Sequence, residues 1–310
     1  PLDGHARHTA TLTNHGTLQL GAAGRIDLQN GITYVAAPQT IEGGGTIVNA
    51  AGGTTTVAFT LASEFGGGTP VGGLHAAGRI SQKLVNEGNA TLQGVARSDF
   101  RLAWWDGLIE NVATFLFERG WMDVNEYRHL SGTTTLDRVG VRTSDGFSVS
   151  AGTLHAQGSL LTGNIVLSGN GQLRVGTEGL AIAGTFADAP GTTTHLFGPL
   201  AATGTTLPTA FQGTLILDGP TAGLFSANLT SAGSGSAPNL GGAFTTNLNG
   251  TIATVNAGAT LEIRNGLNLS GGSTWTTHGT FLVGAGSTFT RTDGTLAGNG
   301  TIRVLSGGAM

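Results

Sequence analysis

One short phrase constrains this chain more than any other: Gly, then Thr, then a large apolar residue. It occurs as Gly250-Thr251-Ile252, Gly279-Thr280-Phe281, Gly294-Thr295-Leu296 and Gly300-Thr301-Ile302, with a stretched copy at Gly258-Ala259-Thr260-Leu261. Between copies the chain alternates apolar and polar for about four to six residues and then meets Gly or Asn, the pattern of short strands and tight turns. Thr260, Thr280 and Thr301 recur about twenty residues apart, the length of one solenoid repeat. Successive coils of a β-solenoid are expected from Asn247 to Gly308. In such a coil each strand stacks on the strand one turn earlier, about 4.8 Å away. Thr and β-branched residues suit that pleated surface, and Gly and Asn supply the positive φ angles of the corners.

The same language runs through most of the chain. It is present in Asn14-His15-Gly16-Thr17-Leu18, Gly45-Thr46-Ile47-Val48, Ala90-Thr91-Leu92-Gln93, Gly152-Thr153-Leu154 and Gly213-Thr214-Leu215. Gly makes up 54 of the 310 residues, more than twice the usual share. A Gly-rich chain of this kind is a linker only if it lacks apolar residues at strand spacing, and here Leu, Ile, Val and Phe recur at that spacing throughout. The expectation is a single all-β solenoid over residues 1–310, needing no division into domains. Inward positions are predicted at Leu215, Leu217, Leu261, Ile263, Leu269, Phe281, Val283, Phe289 and Leu296. At twenty residues per coil the chain would make roughly fifteen coils and span about 70 Å.

Three stretches depart from the rhythm. Ser63–Gly78 is Gly-rich and reads as a loop or wide corner. Residues 221–242 read as a protruding loop, the segment from Thr230 to Gly242 being the most linker-like of the chain. Residues 98–130 are poor in Gly and hold Trp104, Trp105 and Trp121 with many acids. Trp105, Leu108, Ile109, Val112 and Leu116 have helical spacing. However, Ala113–Gly120 repeats the rhythm of Leu84–Gly88, so variant strands are favoured over a helix.

Several classes are excluded or disfavoured. The chain has no Cys, so disulfides and Cys-ligated metals are out. A net charge of −4 without a basic run gives no pointer to nucleic acid. No apolar run approaches eighteen residues, so no transmembrane segment is expected. The chain begins with Pro1 and stops just after a strand-like Ile302–Leu305, and both ends read as cut from something longer.

In repeat style the sequence resembles the β-solenoid passengers of bacterial exported proteins, of the filamentous-haemagglutinin-like and autotransporter type. The residues that carry the resemblance are Asn14-His15-Gly16-Thr17-Leu18, Asn86-Glu87-Gly88, Leu267-Asn268-Leu269-Ser270-Gly271-Gly272-Ser273-Thr274 and Val283-Gly284-Ala285-Gly286-Ser287-Thr288-Phe289. The resemblance implies a right-handed parallel β-helix, secretion to the cell surface, and roles in adhesion or surface structure. No Asn-Pro-Asn secretion motif and no amphipathic barrel strands accompany it.

The densest group of acids is Asp99, Asp106, Glu110, Glu118, Asp123 and Glu126. It coincides with Trp104, Trp105, Trp121 and Tyr127. Carboxylates beside aromatic faces suit a sugar, so Trp104, Trp105 and Trp121 are the candidate glycan-binding residues, against the plainer reading that the rings fill the core. Catalysis by such acids would need two of them free on one face, and no catalytic residue is assigned. His5 and His8 sit three apart near an end, and no metal site or cofactor is expected. The leading expectation is therefore a non-enzymatic extracellular or cell-surface structural segment, a stalk, fibre or filament with an adhesive role. Its partners would be its own or flanking coils stacked end to end, and surface glycans. A carbohydrate-binding module is the second reading and a polysaccharide-degrading enzyme the third. Exposed coplanar Trp rings would favour the second, and buried rings the first.

Overall fold

In a computed structural model the described residues are 11–13, 16–20, 23–30, 39–61, 78–94, 103–118, 120–203, 210–218, 223–227, 252–255, 257–264, 267–269 and 274–310. They form an all-β solenoid in which every paired strand is parallel to its neighbours, and no helix occurs among them. A coil has three faces. In the coil Gly78–Ile80, Lys83–Asn86 and Asn89–Gln93, each face is a separate strand. In the next coils the first two faces merge into one bent strand: Ala103–Asn111, Trp121–His129, Gly140–Val149, Ser159–Leu167 and Leu180–Ala187. Both Gly78–Ile80 and Lys83–Asn86 pair with the one strand Ala103–Asn111. The bend shows as a register shift between Trp105 and Leu108, between Val124 and Glu126, and between Arg142 and Phe147, a bulge that turns the strand without ending it.

The third face is the most regular. It is a parallel sheet of 12 strands running from Ala23–Asn30 to Thr301–Val304. Thr114, Thr133, Thr153, Gln172, Thr193 and Thr214 are stacked in register. Thr260, Thr280 and Thr301 continue the column, as the twenty-residue spacing predicts. Twelve strands at about 4.8 Å per step give a stack about 53 Å long. This is shorter than the 70 Å expected, because the coils are unequal. Thr214 and Thr260 are register neighbours although 46 positions separate them, more than twice the usual spacing of about twenty.

Inside, alternation puts one side of each strand into a dry core. Leu215, Leu261, Ile263, Leu269, Phe281, Val283 and Phe289 are buried as expected, and Leu296 packs against them partly buried. Leu217 lies in a strand, but its side chain is outside the described set. Part of the core is aromatic. Phe115, Phe117, Tyr127 and Phe147 form a cluster with ring centroids 4.5–6.3 Å apart. Ala103–Asn111 and Thr114–Glu118 are strands, so the helical spacing of Trp105 to Leu116 has no helix behind it: Trp105 and Ile109 point inward on opposite sides of the bulge. Within 221–242, Gly223–Ala227 is a strand of the stack paired with Pro199–Thr203, which corrects the start of the expected loop, and the rest of that stretch lies outside the described residues. Residues 63–77, the bulk of the other expected loop, lie outside them too.

Candidate functional site

The strands Ala103–Asn111 and Trp121–His129 carry the expected site, and alternation distributes its members to different sides. Trp105 faces inward, is 1% exposed, and its indole N–H donates to the Gln82 carbonyl at 2.8 Å. Tyr127 is also wholly inside, its hydroxyl 2.6 Å from Thr134 Oγ1, and burial pushes its pKa above the ordinary value. Trp121 faces outward yet is only 6% exposed, packed with Leu160 and Ala181. Its ring lies over Gly140, one coil up, where a Cβ would come within 2.1 Å of the indole. Glycine is required there because the indole occupies the space. Trp104 alone of the three faces outward half-buried. Two of the three candidate rings thus present no face to a ligand, and no coplanar platform forms.

What the fold brings together is a column of polar residues around Trp104. Arg79, Trp104, Asp123 and Arg142 are stacked in register on the first face. Asp106 pairs with Arg79, and Asp123 pairs with Arg142. The other acids go elsewhere. Glu110 meets Lys83 and Arg128 on the second face, and Glu126 meets Arg128 at 2.7 Å. Glu118 lies on the third face beside Gln93, and Asp99 lies outside the described residues. Asp106, Glu110, Asp123 and Glu126 are therefore each in an ion pair, and the arrangement is one of interlocked charges on solvent-facing strands.

A second constellation lies at the corner between the second and third faces. Asn49, Asn86 and Asn111 occupy the same register in successive coils and are fully buried. Asn49 Nδ2 donates to Asn86 Oδ1 at 2.7 Å, and Asn86 Nδ2 donates to Asn111 Oδ1 at 2.6 Å. The same nitrogens also donate to the Asn89 and Thr114 carbonyls, so each amide satisfies a corner as well as its neighbour. His129 takes the next position, with Nδ1 3.0 Å from Asn111 Nδ2 and 2.9 Å from Thr134 Oγ1. Nδ1 is the acceptor there, because the Asn111 amide nitrogen can only donate. Burial holds the His129 imidazole below its ordinary pKa. Sequence reading passed over this line of amides. Its signal is Asn at the end of a second-face strand, in Val48-Asn49, Val85-Asn86 and Glu110-Asn111.

The remaining histidines do not cluster. His155 and His195 are on the third face, and His278 is exposed beside Asn299. His5, His8, His15 and His75 lie outside the described residues. Among the described residues no three His, Asp or Glu side chains are placed to hold a metal ion, and no helix is long and apolar enough to cross a membrane. No protein-family model, no curated protein and no solved structure matches this chain.

Proposed function

We propose that this chain is a non-enzymatic, exported structural segment, a stiff stalk or fibre section whose last described coil stacks against a further β-solenoid coil. The observation that carries the reading is the state of the last coil. Ile302 and Val304 occupy the register of Phe281 and Val283, both fully buried one coil below. Yet Ile302 is 51% and Val304 43% exposed. Ile302, together with Phe289, Leu296 and Met310, borders an open hollow of about 710 Å³. The strand edge there carries backbone N–H and C=O groups free to pair, which is a template for another strand. One more coil in register would bury these side chains and pair that edge.

The outer faces fit the same reading. Acids that would serve catalysis are tied to Arg and Lys, and the charge-poor, cysteine-free composition suits a chain that crosses membranes unfolded. The added coil comes from continued chain or from a second copy, and stacking between copies is a heterologous contact that grows rather than closes. The test is the solution mass of the purified chain across a hundredfold concentration range, with hydrogen exchange of residues 289–304. Growth into rods that an Ile302→Glu/Val304→Glu variant abolishes is the expected result for stacking copies. A monomer with rapidly exchanging end-strand amides is the expected result for continued chain. A stable monomer with that edge protected would overturn the proposal.

A further inference from the structure

Between Arg79 and Arg264, one described cation of the third face has no carboxylate within ion-pair distance. Seven Lys and Arg are described between Arg79 and Arg264, and six of them have a carboxylate within ion-pair distance: Arg79, Lys83, Arg128, Arg138, Arg142 and Arg264. Arg174 has none. It is exposed, and it is not loose: its guanidinium carbon lies 5.3 Å from the centre of the Phe197 ring, a distance at which the ring attracts the cation. Phe197 is in turn packed against the His195 ring, with centroids 4.2 Å apart. The charge is thus held in place with nothing to meet it.

Its surroundings specify the ligand. Register places His155, Arg174 and His195 directly above one another in three successive coils. His155 is kept neutral near pH 7, since burial and then the Arg174 charge both push its pKa down. The His195 Nε2 atom is occupied by Asp218 at 2.7 Å. The charge of the row that no carboxylate meets is that of Arg174, a planar fork suited to bidentate contact with a carboxylate. Alongside it run Thr153, Gln172 and Thr193, also in register, and Gln157 leans over Gly176 on the other side. These hydroxyl and amide groups repeat at the strand spacing of about 4.8 Å along the sheet, which suits the hydroxyls of an extended chain.

We infer that the row centred on Arg174 is a binding site for the carboxylate of a uronic-acid unit within a linear acidic polysaccharide. The inference names a ligand class for the adhesive part of the reading above, and it fails separately from the stacking of coils. A filament would repeat the site along its length, so a polymer would gain affinity by simultaneous contacts.

The experiment is calorimetric titration of the purified full chain, at pH 7 and low salt, with oligogalacturonate, with its fully methyl-esterified form, and with dextran sulfate. Binding of the acid form, with at least tenfold weaker binding of the ester, is the expected result. Arg174→Gln should weaken the acid form at least tenfold while the rods or monomers of the parent are retained. Arg303→Gln, a third-face arginine in the last coil, should leave it within twofold. Arg174 is exposed, so its loss does not threaten folding, and an unchanged circular dichroism spectrum checks this. Equal binding of acid and ester, no binding of either, or an Arg174→Gln variant like the parent would overturn the inference. So would dextran sulfate binding more tightly than oligogalacturonate, since it would mark an unspecific charge.

Discussion

Replacing Asn86 by Leu isolates the contribution of the buried amides. The two side chains are similar in size, so the change removes hydrogen bonds while leaving the volume nearly filled. Asn86 accepts from Asn49 at 2.7 Å and donates to Asn111 at 2.6 Å and to the Thr114 carbonyl at 2.8 Å. Each such bond contributes about 0.5–1.5 kcal/mol net, and a partner left unpaired in the interior costs about 1–3 kcal/mol. The partners are not wholly abandoned. Asn49 keeps the Asn89 carbonyl at 3.0 Å, and Asn111 Oδ1 keeps the Ala113 N–H at 3.1 Å. The sum is therefore about 3 kcal/mol. In a stacked repeat each coil touches only its neighbours, so the loss stays local. Native-state hydrogen exchange is the assay. About 3 kcal/mol corresponds to roughly a hundredfold loss of protection, expected in Lys83–Asn86 and Thr114–Glu118. Thr193–Leu196, four third-face strands beyond Thr114–Glu118, should be unchanged. Protection that is unaltered near residue 86, or that falls equally throughout, would refute the argument.

Two further outcomes follow from the same interior. His129 and His155 both have pKa values lowered by burial. Since the unfolded chain binds these protons first, stability should be level above about pH 7 and fall as pH drops below about 6.5 until the folded values are reached. His129→Asn, which continues the amide line, should shrink that fall, as read from urea midpoints at pH 7.5, 6.5 and 5.5; a variant with the parent's profile would contradict the assignment. Gly140→Ala should displace the Trp121 ring that a Cβ would strike, costing about 1–3 kcal/mol and red-shifting part of the tryptophan emission, and an unshifted spectrum with full stability would count against the contact.

The sequence is legible wherever one coil must match the next. Thr260, Thr280 and Thr301 could be aligned by eye because the third face repeats without interruption there. The apolar residues that follow each Thr could be assigned inward for the same reason. The number of coils could not, since a residue count does not reveal that Thr214 and Thr260, 46 positions apart, are register neighbours. The Trp residues were misleading in a more instructive way. Trp104 and Trp105 are adjacent, so on a strand they must point to opposite sides, and a platform using both was never compatible with the strands predicted for them. Trp121 is outward by alternation and still buried, because the Gly at position 140 in the next coil leaves room for the ring to lie down. That fact belongs to the register, nineteen positions away, and no local window contains it.

Surface chemistry is subject to the same limit, more severely. Arg138 meets Glu178, 40 positions on and two third-face strands higher, while its neighbour in sequence, Asp137, is a more distant partner at 3.7 Å. Inward positions are constrained by a core that every coil shares, and so they repeat. Outward positions beyond the leading Thr column answer mainly to whichever side chains stand one or two coils away, and so they differ from coil to coil. Arg174 has no distinguishing mark in Gln172-Leu173-Arg174-Val175, a strand like the others. It stands out only after every other described cation from Arg79 to Arg264 has found its carboxylate. A β-solenoid thus states its fold in its repeats and its binding chemistry in the exceptions to charge pairing across coils, which become visible once the register is known.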